Sequence, residues 1–109
     1  MYKINIKNIV GDIKINQGSA FKLVAELYEN DGKDLVEIGS DDQLKMIAHN
    51  QNFTSIDKTF TLNDDLSTLE LLLNNSDTNI DKIKYDLKFY FIKDNQSYII
   101  DNIKYLSIV

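Results

Sequence analysis

A two-residue rhythm of apolar and polar side chains runs through nearly every segment of this sequence, and it predicts an all-β fold of half-buried antiparallel strands. Turn-forming residues return about every 10 positions, the spacing of short strands stacked into two sheets. With 109 residues the chain has the size of one domain, 1–109, and a chain of that length buries roughly two-thirds of the surface it exposes when unfolded.

Each element follows from that rhythm. Tyr2, Ile4 and Ile6 alternate with Lys3, Asn5 and Lys7. Ile13 and Ile15 then alternate with Asp12, Lys14 and Asn16 after a break at Val10-Gly11, giving one kinked strand or two short ones. Phe21, Leu23, Ala25 and Leu27 form the next inward row, which stops at Asn30-Asp31-Gly32, residues that tolerate the positive φ of a tight turn. Leu44, Met46 and Ala48 make a weaker strand after the polar loop Gly39 to Asp42. Phe60 and Leu62 suggest another after Asp57-Lys58.

Segment 63–74 has two readings. Asn63-Asp64-Asp65 could cap a helix carrying Leu66, Leu69, Leu72 and Leu73 on one side, with Ser67 and Glu70 at capping-box spacing. The same residues give alternating Leu69, Leu71 and Leu73, and the strand is favoured because it completes a sandwich, whereas a lone helix needs a different architecture. Ile83, Tyr85, Leu87, Phe89 and Phe91 carry the clearest alternation and mark a central strand. After a polar turn at Asp94-Asn95-Gln96, a last strand runs through Tyr98 to Val109, with Ile99-Ile100 pointing to burial on both faces or to a bulge at Asp101-Asn102. Seven to eight strands without a disulfide read as an immunoglobulin-like antiparallel β-sandwich more readily than as a closed barrel.

Composition excludes several function classes. There is no cysteine, which removes disulfides, thiolate catalysis and Cys-based zinc sites together. All 12 basic residues are lysines and the net charge is −5, whereas nucleic-acid surfaces depend on clustered positive charge and on arginine, so nucleic acid is not an expected partner. The longest aliphatic run, Leu71-Leu72-Leu73, is far short of the roughly 20 residues that cross a bilayer, and no membrane partner is expected. The N-terminus alternates where a secretory signal would be continuously apolar, which predicts synthesis in the cytoplasm.

Candidate chemistry is sparse. His49 is the single histidine, and none of the usual nucleophile settings surrounds it. Paired carboxylates at Asp31 and Asp34, Asp41 and Asp42, Asp64 and Asp65, and Asp77 and Asp81 fall in turns, where Asp is favoured for local hydrogen bonding. Asn30 to Asp34 lacks the ligand spacing and closing Glu of a calcium loop. The glycines are too dispersed to cradle a phosphate. Lys82, Lys84 and Lys88, interrupted by Asp81 and Asp86, read as a solvated strand face. The expectation is therefore a non-enzymatic chain with no cofactor and no metal. Val24, Tyr28, Leu72, Tyr90 and Ile92 fall on outward strand positions. If they converge they form a partner surface; the alternative is a sheet buried on both faces within the domain.

From Ile13 onward the chain resembles the immunoglobulin-like modules of tailed-phage virion proteins, in particular the N-terminal domain of upper baseplate proteins of Gram-positive phages. The resemblance is carried by Asp12-Ile13-Lys14-Ile15-Asn16-Gln17-Gly18, Phe21 to Ala25 running into Asp31-Gly32, Leu69-Glu70-Leu71, Asp77-Thr78, and Tyr85-Asp86-Leu87. It departs from the pattern at Ile83-Lys84, which lack a glycine before the tyrosine, and at Asn95. The resemblance implies a virion protein that docks on a baseplate, tail or capsid through other virion proteins or further copies of itself. The residues alone leave a second possibility, a small acidic inhibitor or adaptor whose carboxylates gather on one face.

Overall fold

The computed structural model describes residues 2–29, 33–51, 53–63, 68–100 and 104–109. Every regular element among them is a strand: β1 (Lys3–Ile6), β2 (Ile13–Ile15), β3 (Phe21–Glu29), β4 (Asp34–Leu35), β5 (Gln43–Asn50), β6 (Phe53–Thr59), β7 (Thr61–Leu62), β8 (Leu69–Leu73), β9 (Lys84–Lys93), β10 (Gln96–Ile99) and β11 (Lys104–Ile108). They make two sheets. One has the order β1-β3-β8-β7, with β4 beside the end of β3; the other has β2-β11-β9-β5-β6, with β10 also on β9. The ladders are antiparallel apart from β2 and β11, which run parallel with Ile13 opposite Leu106.

The rhythm of the sequence sets which side chains meet. Ile4, Ile6, Leu23, Ala25, Leu27, Leu69, Leu71 and Leu73 turn inward from the first sheet; Ile13, Ile15, Leu44, Met46, Ala48, Tyr85, Leu87, Phe89, Phe91, Leu106 and Ile108 turn inward from the second, in one buried cluster. This is a β-sandwich-like core in which two apolar faces exclude water from each other. β9 is central as expected, paired with β5 on one side and with β10 and β11 on the other. The leucine-rich segment resolves to a strand at Leu69–Leu73, with Leu72 outward.

The first stretch becomes two strands in different sheets. The Lys7 N–H still reaches the Val24 carbonyl (2.8 Å), then positive φ at Asn8 (64°) and Gly11 (80°) swings the chain across the sandwich edge. A residue in the left-handed region favours Gly or Asn, and both positions comply.

Two expectations need correction. Asp57 and Lys58 are not a turn before a Phe60 strand: they lie inside β6, and Phe60 is the point where the chain passes from β6 in one sheet to β7 in the other. β6 escaped notice because it is an edge strand whose only fully buried side chain is Ile56, which leaves almost no apolar alternation. The strand number also exceeds seven to eight, with eleven described segments, because β4 and β6 carry too little apolar alternation to be read and β10 and β11 divide what the rhythm shows as a single run. The turn at Asn30-Asp31-Gly32, the capping residues Asp64 and Asp65, and the bulge at Asp101-Asn102 lie outside the described residues.

The β9–β10 connection is a two-residue turn, Asp94-Asn95, with φ of 52° and 62°. Positive φ at both positions is the type I′ geometry that matches strand twist and prefers glycine second. Replacing Asn95 with Gly should raise stability by about 0.5 kcal/mol, read as a higher urea midpoint at unchanged m; a lower midpoint overturns the turn assignment.

The exposed edge of β6 carries its own guard. Lys58 points inward, its Nζ 2.5 Å from Asp77 and 3.2 Å from the Leu72 carbonyl, so the edge strand is tied to the opposite sheet and carries a charge that a docking strand would have to bury. Burial alone would push the Asp77 carboxyl up, but hydrogen bonds from Lys58 and from the Asn74 N–H, together with the lysine charge, outweigh it and hold the group below its usual range. A depressed folded-state pKa contributes stability above the unfolded value, lost as pH falls through the folded one. Asp77→Asn should therefore flatten the acid limb of the stability profile below about pH 4. An unchanged limb in urea titrations removes this role.

Candidate functional site: a cleft over the Tyr85 hydroxyl

The five outward apolar residues do not converge. Val24, Tyr28 and Leu72 lie on the outer face of the first sheet, where Leu72 is opposite Lys22 and Val24 opposite Glu70, with the Lys22–Glu70 ion pair (3.0 Å) between them. Tyr28 is one outward position beyond Glu26, beside Leu35. Tyr90 and Ile92 lie on the outer face of the second sheet, next to Ile99 and Ser97 respectively. Strand parity was read correctly, but it cannot say which sheet a strand joins, and the two outer faces point in opposite directions. Among the described residues nothing covers Leu72, 61% exposed, on one face or Ile99, 66% exposed, on the other; Val24, Tyr28, Tyr90 and Ile92 are half-buried.

Clefts bordered by described residues open at both ends of the sandwich. At the end where β3 and β9 stop and β5 begins, a cavity of about 370 Å3 is bordered by Glu29, Glu37, Asp42 and Lys93; the Asp42 carboxylate is occupied in accepting the Gly39 N–H (2.8 Å). At the other end, where β5 turns into β6 and β9 begins, a cavity of about 530 Å3 is bordered by Asn50, Phe53, Ser55, Asp81, Ile83 and Tyr85. This second cleft combines apolar walls with ordered polar groups, the usual make-up of a recognition site.

Its floor is built by β9. Tyr85 is buried, and its hydroxyl donates to the Asp81 carbonyl four residues back (2.9 Å), pinning the loop before the strand to the strand itself. The same carbonyl accepts the Ile83 N–H (2.9 Å). Burial first, and then the negative charge of Asp81, push the Tyr85 hydroxyl up from its usual value, partly offset by a hydrogen bond from Ser55. Asn50 at the end of β5 donates to the Lys84 carbonyl (3.2 Å), which holds the β5–β6 turn over the start of β9. Gln51, next in the chain, has a φ of 52°. β6 carries one residue more than β5 between Ala48 and His49, so Ser55 is bulged and Phe53 falls on the parity of inward positions. There the sandwich end is open, and the Phe53 ring is left 75% exposed.

His49 belongs to neither cleft. It sits near the end of β5, opposite Asp86 and Thr54, half-buried, with a buried Nε2 that has no hydrogen-bond partner. The structure therefore does not join the single histidine to Asp81 or Tyr85. Among the described residues no group of three or more His, Asp or Glu is placed to hold a metal ion, and no helix is long and apolar enough to cross a membrane. Sequence reading missed Phe53 and Ile99. Ile99 follows Tyr98 with opposite parity and could have been assigned outward; Phe53 gave no signal, since nothing in Gln51-Asn52-Phe53-Thr54 alternates.

The chain matches no family of known proteins and no curated protein. It is similar in fold to a crystal structure of an engineered protein, with a TM-score of 0.62 and 4% identity over 100% of this chain and 20% of the other. The chain thus spans about a fifth of that protein's length, and the likeness is one of fold alone.

Proposed function

We propose that this chain is a non-enzymatic virion protein of a phage or prophage, an immunoglobulin-like module that attaches to a baseplate or tail, or decorates a capsid or tail, through protein–protein contacts. Support for the immunoglobulin-like reading comes from the order β1-β3-β8-β7 facing β2-β11-β9-β5-β6, and from the tyrosine at the start of β9 whose hydroxyl reaches back to the preceding loop; both are features of that sandwich class. The observation that carries the contact function is the pair of uncovered apolar positions on opposite outer faces, Leu72 on one sheet and Ile99 on the other. A subunit set between neighbours in a particle has use for two such faces, whereas an adaptor for one partner needs only one.

The acidic-inhibitor alternative calls for carboxylates on a single face. Asp31 and Asp64 lie outside the described residues. Asp41 precedes β5 at one end of the sandwich, while Asp77 follows β8 at the other and is engaged by Lys58, so no observation favours that reading.

Particles purified from an induced culture of the source bacterium and analysed by mass spectrometry are expected to contain the chain in multiple copies. Its absence from them removes the virion reading.

A further inference from the structure

We infer that the cleft over the Tyr85 hydroxyl seats an arginine side chain presented by a partner protein. The inference rests on the reading of the chain as a contact module and names the chemistry of one of its contacts. Three properties of the cleft select the occupant. Its walls are apolar, with the Phe53 ring 75% exposed and Ile83 43% exposed, so the occupant brings a hydrocarbon stem or a flat face that gains from leaving water.

Its polar groups include acceptors and one carboxylate, Asp81, beside the donor-acceptor side chains of Gln51, Thr54 and Ser55. Asn50 commits one of its two side-chain N–H bonds to the Lys84 carbonyl, which fixes the amide with its Oδ1 available as an acceptor. The Asp81 carboxylate lies close enough to the Tyr85 phenol to perturb it and has no ion pair among the described residues. One negative charge, no lysine in the lining and an exposed aromatic ring describe a receptor for a cation. A planar guanidinium fits better than a compact ammonium, because it can lie against the Phe53 ring while its fork addresses two carboxylate oxygens.

The source of the arginine follows from composition. This chain contains none: its basic residues are all lysines. A second copy therefore cannot supply the group, and the occupant belongs to a different protein, toward which the net charge of −5 adds a general attraction for basic surfaces.

The test is a 15N–1H NMR titration of the full chain with capped single residues, N-acetyl-arginine methylamide and N-acetyl-lysine methylamide. Arginine is expected to move the Ser55, Ile83 and Tyr85 amide resonances saturably, at on the order of millimolar affinity for so small a ligand, and lysine several-fold less strongly. Asp81→Asn should weaken the arginine response roughly tenfold, and Phe53→Ala should reduce it as well. Both variants keep the fold, since the Tyr85 hydroxyl is held by the backbone carbonyl of residue 81 and Phe53 is exposed; their own spectra check this. Equal responses to the two probes, shifts centred elsewhere, or an Asp81→Asn titration identical to the parent overturn the inference. A null titration together with continued presence of the chain in particles sinks the arginine cleft alone, and absence from particles sinks the virion reading alone.

Discussion

Truncating Phe89 to alanine is expected to remove about 3–5 kcal/mol of stability, the range for deleting a fully buried aromatic ring. Phe89 is inaccessible to solvent and lies mid-way along β9, with β5 hydrogen-bonded along one side and β10 and β11 along the other. Backbone held on both sides cannot collapse into the void, so the cavity term adds to the lost transfer energy. The ring also meets Phe60 (centroids 6.3 Å apart, tilted 48°), the residue at which the chain changes sheets, so its loss loosens the crossing from β6 to β7. Single domains have net stabilities of roughly 5–15 kcal/mol, and the variant should stand close to unfolding. Urea denaturation measures this against Leu72→Ala as a surface control, for which a change within about 0.5 kcal/mol is expected. A Phe89→Ala loss below about 1.5 kcal/mol would mean that β9 is not the packing centre.

The same strand shows how much of the fold was written in local pattern. Ile83 to Phe91 alternates so regularly because β9 is flanked by partners on both edges and has one face against the core, and each condition imposes a period of two. Burial on a single face was legible for β3 too, and more weakly for β5. Legibility fails where the constraint is relaxed. β6 has one free edge and a bulge, so its side chains answer to no regular neighbour, and Asp57-Lys58 mimicked a turn. The division between β1 and β2 was visible as a break at Val10-Gly11, but that the two strands join opposite sheets depends on contacts with β3 and β11, distant in sequence.

The same limit governed the candidate site. Tyr85 could be assigned its place near a sandwich corner from the pattern alone, because the reach of a hydroxyl to a loop four residues back is local. Phe53 and Asp81 come together only through the folding of the β5–β6 hairpin onto the start of β9, and no spacing in the sequence encodes that meeting. The five outward apolar residues divide between two faces for the matching reason: parity places a side chain outward, but only strand order decides which outward direction it shares with others.

Replacing Tyr85 with Phe should cost about 1–3 kcal/mol, the range for removing one partner of a buried hydrogen bond. The ring, its packing and the apolar area stay in place, so the whole change comes from the hydroxyl that joins the Asp81 carbonyl and Ser55. The Asp81 carbonyl keeps the Ile83 N–H, which places the cost toward the lower half of the range. A pH series separates this role from general destabilisation. The folded-state Tyr85 hydroxyl is held above its ordinary value. A raised folded pKa gives a contribution that is complete below the unfolded pKa and is lost as pH climbs through the folded one. The difference between parent and Tyr85→Phe should therefore be constant up to about pH 10 and shrink above it, while other tyrosines and lysines titrate equally in both chains and cancel. A difference that stays fixed through that range would show that the phenol is not bonded as described, and the corner that positions Asp81 at the cleft would lose its physical basis.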